Sequence, residues 1–155
     1  MKNRVSVKWE NKLHFHGILD ERIVPIDAVD PEDEGSHGIR PKGLLLMALG
    51  GCTGIDVASI LQKMREDFTS FEVNVSATPD LQNNNIYESF QISYLISGKE
   101  LHTPKIVRAV RMSMNTYCGV SQMLEKVGPV EYEIIVNGVK LDLDKFETDS
   151  DKKSE

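Results

Sequence analysis

Residues 42–66 decide the fold, and they read KGLLLMALGGCTGIDVASILQKMRE. The stretch contains no proline, and its apolar residues recur at three- and four-residue spacing from Leu45 to Met64, which predicts a long helix. Its first half is apolar nearly all round, as in a buried helix. A glycine inside a helix costs about 1 kcal/mol relative to alanine, so we expect something to pack closely against the backbone here. The glycines concerned are Gly43, Gly50, Gly51 and Gly54.

Three short strands are predicted upstream of this helix. Residues 4–9 and 13–17 alternate apolar and polar side chains, which is the pattern of half-buried strands. Residues 22–26 form a third strand, which Pro25 confines to a sheet edge or a strand end. Because the connections are short, we expect an antiparallel meander.

The segment between the third strand and the helix is predicted to be a long exposed loop. Residues 27–38 are rich in acidic side chains and carry little to bury. Pro41 then suits the first position of the helix, because its missing N–H would have been unpaired there anyway.

Downstream of the helix, residues 71–77 and 86–96 alternate apolar and polar side chains and should form a second hairpin. A last strand is predicted at 130–136, followed by the turn signal Asn137-Gly138. From Leu143 the chain is acidic and rich in serine and lysine, which is typical of a disordered tail.

A second, interrupted helix is predicted before the last strand. Thr103 as the cap and Pro104 at the first helical position are typical of a helix start. The helical spacing is interrupted at Cys118 and Gly119 and resumes over 120–127. The order of elements predicts an α+β fold, in which antiparallel sheets pack against two largely apolar helices.

The length and the net charge of the chain limit the number of domains and the classes of partner that we expect. A chain of 155 residues is about the size of one domain, so we expect a single domain over residues 1–141 and a disordered tail over 142–155. The formal net charge of −6 argues against a nucleic-acid-binding surface. Since we find neither an apolar run of about 20 residues nor a signal-peptide core, we predict a cytoplasmic protein with no membrane partner.

The two cysteines, Cys52 and Cys118, are the candidate reactive groups. Neither belongs to a Cys-x-x-Cys motif, so neither a metal nor a cofactor is predicted. His14 and His16 share one strand face, but with no third ligand near in sequence they are predicted to be surface histidines. In a reducing cytoplasm the cysteines are thiols. They are either small buried hydrophobic residues or a redox pair, and the helix interruptions around them favour the redox pair.

A nucleophilic cysteine must become a thiolate, and lowering a thiol pKa from about 8.5 to about 6.5 requires roughly 2.7 kcal/mol. Asp56, four residues after Cys52, would oppose the anion if it shared that helix face. A cation from elsewhere is then needed. Arg22 and Arg40 are candidates, although the simpler interpretation of both is a surface arginine. Cys118 precedes a helical segment whose N-terminal amides could favour its thiolate.

Two blocks of the chain resemble a known family. Residues 46–63, beginning LMALGGCTGIDV, resemble the first cysteine helix of the OsmC/Ohr superfamily, in its YhfA-like branch. The stretches around Arg108 and Cys118, continued by residues 123–126, resemble its second cysteine segment. The resemblance covers nearly the whole chain to about Val136 and leaves out the tail.

The resemblance implies an intertwined homodimer, in which two long central helices lie between curved sheets and the glycines leave room for the second helix. It also implies thiol-dependent reduction of hydroperoxides, preferentially organic ones. Carried over, Cys52 is the peroxidatic thiol, Cys118 is the resolving thiol, and an external dithiol reduces their disulfide. The alternative is a non-enzymatic dimer that binds a small apolar ligand between its helices and uses the cysteines for packing.

The chain departs from the family pattern at the start of the first helix. The better-characterised members carry a glutamate just after the proline that opens this helix, where it orders an arginine beside the peroxidatic cysteine. Here Lys42 and Gly43 follow Pro41. The resemblance therefore identifies the two reactive cysteines but does not show which arginine stands beside the peroxidatic one.

Overall fold

The computed structural model describes residues 4–28 and 38–147 of the chain. The chain divides into two compact units, residues 1–47 and 48–155. Most of the predicted acidic loop lies outside the described residues. The single domain over residues 1–141 stays a prediction.

The first unit contains the predicted antiparallel meander. Its strands β1 (Ser6–Asn11), β2 (His14–Leu19) and β3 (Arg22–Ile26) pair in sequence order. Pro25 lies in β3, an edge strand of this sheet, where the missing N–H costs no hydrogen bond of the ladder.

This sheet leaves apolar side chains exposed in the single chain. Every residue of β1 is exposed, and Val7 and Trp9 keep 58% and 65% of their surface accessible. The prediction of a strand is confirmed, but its predicted half-burial is wrong for one chain. Alternating apolar residues predict one buried strand face, but the apolar side chains of β1 are exposed like its polar ones.

The second unit builds a four-stranded sheet in the order β4, β5, β6, β7. The strands are β4 (Ser70–Pro79), β5 (Tyr87–Ser97), β6 (Val130–Val136) and β7 (Val139–Lys140). β4 and β5 form the predicted hairpin, but β5 and β6 pair in parallel rather than antiparallel, because a helical crossover connects them. β7 follows a tight turn at Asn137 and Gly138, whose φ values of 50° and 80° fit the predicted turn.

The connection from β5 to β6 is helical and broken. α2 (Thr103–Met112) runs into a π-helical turn (Ser113–Tyr117), and α3 (Gly119–Leu124) begins directly after Cys118. The predicted interruption at Cys118 is therefore confirmed. Side chains of α2 and of the central strands are buried together in the core: Phe90, Ile92, Tyr94, Ile96, Ile106, Val107, Val110 and Ile134.

The long helix α1 (Pro41–Lys63) begins at the predicted proline. Its buried side chains are spaced four residues apart: Leu49, Thr53, Val57 and Leu61. One narrow face is buried, so the predicted burial of the helix nearly all round is wrong within one chain. The helix ends about one turn before the predicted position, and Arg65 then adopts a left-handed backbone with φ of 56°.

Two glycines of α1 allow the helix to approach β4 closely. A Cβ on Gly50 would lie 3.0 Å from Cγ2 of Val75, and one on Gly54 would lie 3.3 Å from Cγ2 of Val73. A Cβ on Gly51 would meet no atom of the described residues within 4 Å. The predicted close packing is confirmed, but Gly50 and Gly54 face a strand of the same chain rather than a second helix.

By length and composition alone, α1 is apolar enough to cross a membrane. The sequence argument that no apolar run reaches about 20 residues is therefore wrong, since Asp56 is the single charged residue between positions 43 and 62. The central helix of a soluble protein meets the same criteria. The cytoplasmic location stays a prediction.

The first residues of the predicted disordered tail are ordered. Leu143–Phe146 form a 3₁₀ turn, and Nη1 of Arg111 donates a hydrogen bond of 2.7 Å to the carbonyl of Phe146. The prediction of disorder from residue 142 is wrong for this turn, because Arg111 on α2 binds its backbone. Residues 148–155 lie outside the described residues.

A buried carboxylate ties the end of α1 to the start of α2. Glu66 has no exposed side-chain surface. It accepts hydrogen bonds of 2.8 Å from the backbone N–H of His102 and from the ammonium of Lys105. Burial opposes its ionisation, but these donors outweigh burial and hold the pKa of Glu66 below its usual value. His102, rather than the predicted Thr103, is the N-cap residue of α2.

We expect Glu66→Gln to lower the free energy of unfolding by about 1–2 kcal/mol at neutral pH, because the charge-assisted hydrogen bond from Lys105 is lost. The contribution of Glu66 is fully present above the ordinary carboxyl pKa and is lost as the pH falls through the lowered native value. The difference between the two proteins should therefore shrink in acid. Urea unfolding at several pH values measures it.

Glu72→Gln, at an exposed position of β4, is the matched control and should change the free energy of unfolding by less than about 0.5 kcal/mol. Equal losses in the two variants, or a loss at Glu66 that does not depend on pH, would contradict this role.

Candidate functional site

Cys118 lies at the break that follows the π-helical turn. Its backbone N–H donates to the carbonyl of Ser113 at 2.8 Å, which is the i→i+5 bond of a π-helix. Such turns occur frequently at functional sites. The extended backbone of Cys118 makes it the N-cap of α3, and the backbone N–H of Ser121 donates to its sulfur at 3.4 Å. Sulfur therefore takes the place of the oxygen that usually caps a helix.

Cys52 and Asp56 lie one helical turn apart on α1 and face this break. The sulfurs of Cys52 and Cys118 and a carboxylate oxygen of Asp56 all lie within 4.8 Å of one another. Cys52 is half-buried, Cys118 is buried, and both are free thiols. The structure thus brings together the two predicted catalytic residues and adds a carboxylate to them.

Burial sets the acidity of the second thiol. Burial raises the pKa of Cys118, the N–H of Ser121 offsets this only in part, and the hydrogen bond with Cys52 raises it further. An amide of α3 does lower the pKa of Cys118, as predicted, but desolvation outweighs this one N–H···S bond and the net effect is a raised pKa. Cys118 is a neutral thiol at neutral pH.

A chain of buried hydroxyl groups ends on Asp56. Ser113 Oγ donates to the carboxylate of Asp56 at 3.1 Å. Ser113 Oγ also shares a hydrogen bond of 2.9 Å with Thr53 Oγ1, and Thr53 Oγ1 shares one with the hydroxyl of Tyr94. The hydroxyl of Tyr94 also donates to the sulfur of Met114 at 3.2 Å. Burial raises the pKa of Tyr94, so it remains a neutral donor. This hydroxyl network holds Ser113, whose hydroxyl in turn holds the carboxylate of Asp56 beside the sulfurs.

Sequence reasoning missed this hydroxyl chain. Thr53 lies among apolar residues on the buried face of α1, and Ser113 continues the buried face of α2. A polar residue on an otherwise apolar helix face is the sequence signal that could have indicated buried hydrogen-bond partners. Tyr94 reads as an ordinary inward-facing strand residue. Its partners come from distant segments, so nothing local indicates its role.

A cavity of about 410 Å³ adjoins the cysteine cluster. Volumes of this size are typical of small-molecule sites. Its lining is largely apolar and includes a lysine: Asp56, Ser59, Ile60, Lys63, Met64, Met112 and Tyr117. Asp56 belongs to both the cavity wall and the cluster, so the cavity borders the cluster at this carboxylate.

The two predicted cations lie in the first unit. Arg22 is an exposed residue of β3, and Arg40 is an exposed residue immediately before α1. The carbonyl of Arg40 accepts hydrogen bonds from the N–H groups of Gly43 and Leu44, so its backbone is fixed at the helix entrance. Cys52 lies in the second unit, and the role of either arginine as its supporting cation stays a prediction.

The histidines of β2 pair with separate carboxylates. His14 Nδ1 lies 3.3 Å from Asp27, and His16 Nε2 lies 3.3 Å from Glu10. Neither histidine belongs to the group of three potential metal ligands that converges within residues 4–28 and 38–147. That group consists of Cys52, Asp56 and Cys118.

Residues 33–133 match the model of the family described as OsmC-like protein, which is more than half of the chain. The chain belongs to this OsmC-like family. It is 32% identical to the protein YhfA of Escherichia coli (strain K12) over 134 residues, which cover 85% of this chain and 98% of YhfA.

Solved structures of the family share the fold. An OsmC-like protein from Mycoplasma pneumoniae matches with a TM-score of 0.74 at 13% identity, over 88% of this chain and 97% of its own. The organic hydroperoxide resistance protein OhrB of Bacillus subtilis matches with a TM-score of 0.58 at 18% identity, over 84% and 97%. The predicted α+β, OsmC-like fold class is confirmed. A member of this family with two cysteines in contact fits a redox or peroxide-related function.

Oxidation with diamide should convert the two thiols into an intramolecular Cys52–Cys118 disulfide, because their sulfurs already lie within 4.8 Å of each other and the bond requires a separation of about 2 Å. Thiol titration should fall from two per chain to none, and mass spectrometry of unreduced peptides should find the link. Cys52→Ser and Cys118→Ser should each abolish it and leave one thiol. Disulfide-linked dimers without the intramolecular link would contradict the geometry.

Proposed function

We propose that this protein is a thiol-dependent hydroperoxide reductase, with a preference for organic hydroperoxides and a role in oxidative-stress defence. The observation that carries the proposal is the asymmetric pair of free thiols, a half-buried Cys52 beside a buried Cys118. Membership of the OsmC-like family supports it, as does the fold shared with an organic hydroperoxide resistance protein.

The difference in burial supports the two roles that the family resemblance implies for these cysteines. Cys52 Sγ, the more accessible sulfur, attacks the distal oxygen of the hydroperoxide, the O–O bond breaks, and an alcohol leaves. Cys52 becomes a sulfenic acid. Cys118 Sγ then attacks that sulfur, the S–O bond breaks, water leaves with the thiol proton, and a disulfide forms.

An external dithiol completes the cycle. It attacks the Cys52–Cys118 disulfide, becomes oxidised itself, and returns both cysteines to thiols. Two electrons thus pass from the dithiol to the hydroperoxide in each turnover. A cytoplasmic location would provide such reductants.

The cavity beside Asp56 would hold the organic group of the substrate. Ile60, Met64 and Met112 supply apolar walls. An alkyl or aryl group would gain roughly 25 cal/mol for each Å² of apolar surface that it buries there, a gain that hydrogen peroxide lacks. This difference supports a preference for organic hydroperoxides.

Activation of Cys52 requires a positive charge, because Asp56 stands beside both sulfurs. Arg22 and Arg40 are the proposed sources. Lys42 and Gly43 supply no carboxylate to order such an arginine, in contrast to the family pattern. We therefore expect a slower reaction than a site with an ordered arginine would give.

The active form would be a homodimer. In the second unit, Ile55 of α1 keeps 73% of its surface exposed, and Met123 and Val127 keep 60% each. Exposed apolar side chains in such numbers are typical of protein interfaces. The resemblance to the OsmC/Ohr superfamily implies that a second copy of the chain is the partner.

A second candidate function is the binding of a small apolar ligand without chemistry, which the apolar walls of the same cavity favour. In that case the cysteines are packing residues, and their oxidation by hydroperoxides is slow and stoichiometric.

We expect the reduced protein to consume one equivalent of cumene hydroperoxide without added reductant, and to turn over when a dithiol is supplied. Cys52→Ser should lower consumption at least about 100-fold, because the nucleophile is gone. Cys118→Ser is the matched variant and should keep the first oxidation but accumulate a Cys52 sulfenic acid, which dimedone traps. Peroxide consumption by Cys52→Ser at the wild-type rate would overturn the proposal.

Light scattering should give a mass of twice 17.4 kDa for the wild type. Ile55→Glu should weaken the dimer at least about 100-fold, because it places a charge in an apolar interface. Leu81→Glu, at a position that is 94% exposed, is the matched control and should leave the mass unchanged. A monomeric wild type would contradict the proposed dimer.

A further inference from the structure

We propose that the reduced Cys52, Cys118 and Asp56 side chains form a binding site for a thiophilic divalent cation of the Zn²⁺ class. Two sulfurs and a carboxylate oxygen converge within 4.8 Å. The sequence predicted no metal because neither cysteine belongs to a Cys-x-x-Cys motif. The fold supplies the proximity that the sequence spacing lacks, since the ligands come from α1 and from the break after the π-helical turn.

The separation of the three atoms suits a tetrahedral ion. Zn–S bonds of about 2.3 Å and Zn–O bonds of about 2.1 Å place the ligand atoms of a tetrahedral site roughly 3.6–3.8 Å apart. The observed limit of 4.8 Å differs from this by about 1 Å, which rotation of side chains can absorb. Three protein ligands leave a fourth position for water, as in open zinc sites. The adjoining cavity, which Asp56 also lines, would give access to that position.

Two of the ligands are already oriented by hydrogen bonds. Ser113 donates to the carboxylate of Asp56, and the backbone N–H of Ser121 donates to the sulfur of Cys118. Metal-binding side chains in proteins are usually held by such outer contacts. A carboxylate has about four acceptor positions, so the bond from Ser113 leaves room for a cation.

Charge gives an independent reason for a cation here. If both thiols ionised, the cluster would hold three negative charges in a partly buried site, and a divalent ion would offset two of them. Binding would release about two thiol protons to solvent for each ion. Because the same sulfur electron pairs form the metal bonds and the disulfide, metal binding and disulfide formation exclude each other.

Co²⁺ is the spectroscopic probe for this site, added to anaerobic, reduced, reductant-free protein. We expect one ion per chain, a thiolate-to-cobalt charge-transfer band and the visible bands of tetrahedral Co²⁺, all displaced by Zn²⁺. Oxidation of the wild type with diamide should abolish binding, and this comparison needs no substitution that could disturb folding. Competition with a chromophoric chelator gives the Zn²⁺ affinity.

Cys52→Ser and Cys118→Ser should each weaken Zn²⁺ binding at least about 100-fold, and Asp56→Asn at least about 10-fold. Asp67→Asn, at an exposed position beyond α1, is the matched control and should bind as the wild type does. No charge-transfer band, or equal binding by oxidised and reduced protein, would overturn the site. The titration contains no peroxide, so its outcome is independent of the proposed reductase activity.

Discussion

Cys52 and Asp56 lie one turn apart on α1, and the break after the π-helical turn holds Cys118 against both of them. The chemistry of the site depends on this contact between two segments that are distant in sequence. The extra residue of the π turn ends α2 and leaves Cys118 as the cap of the next helix. Gly50 and Gly54 lie on either side of Cys52 in the sequence, and their missing Cβ atoms let α1 pack closely against β4.

A carboxylate beside two thiols creates an electrostatic requirement that the cluster does not meet by itself. The carboxylate of Asp56 would repel negative charge on either neighbouring sulfur, and burial raises the pKa of Cys118. An arginine such as Arg22 or Arg40 would meet this requirement during peroxide reduction. A divalent cation would meet it in the resting, reduced protein. The hydroxyl chain ending on Ser113 keeps Asp56 in place for either role.

The sequence predicted correctly those features of the fold that depend on local patterns of apolar and polar residues. The strands at 22–26 and 130–136 match the observed bounds, and the break at Cys118 was visible as a lapse in helical spacing. Non-local features were missed. The parallel pairing of β5 with β6 depends on a helical crossover, and the exposure of the apolar side chains of β1 depends on tertiary packing rather than on their alternation. The raised pKa of Cys118 was also missed, because it results from burial of the thiol, which the residues next to it in the sequence do not determine.

The central claim is that the sulfur pair is redox-active rather than packing. The rate constant for single-turnover oxidation of the reduced protein by cumene hydroperoxide tests it most directly, compared with the same reaction of free cysteine at the same pH. The account predicts oxidation at Cys52 at least about 100-fold faster than that of free cysteine, which corresponds to about 2.7 kcal/mol of barrier lowering. A rate constant within a few-fold of free cysteine would contradict it.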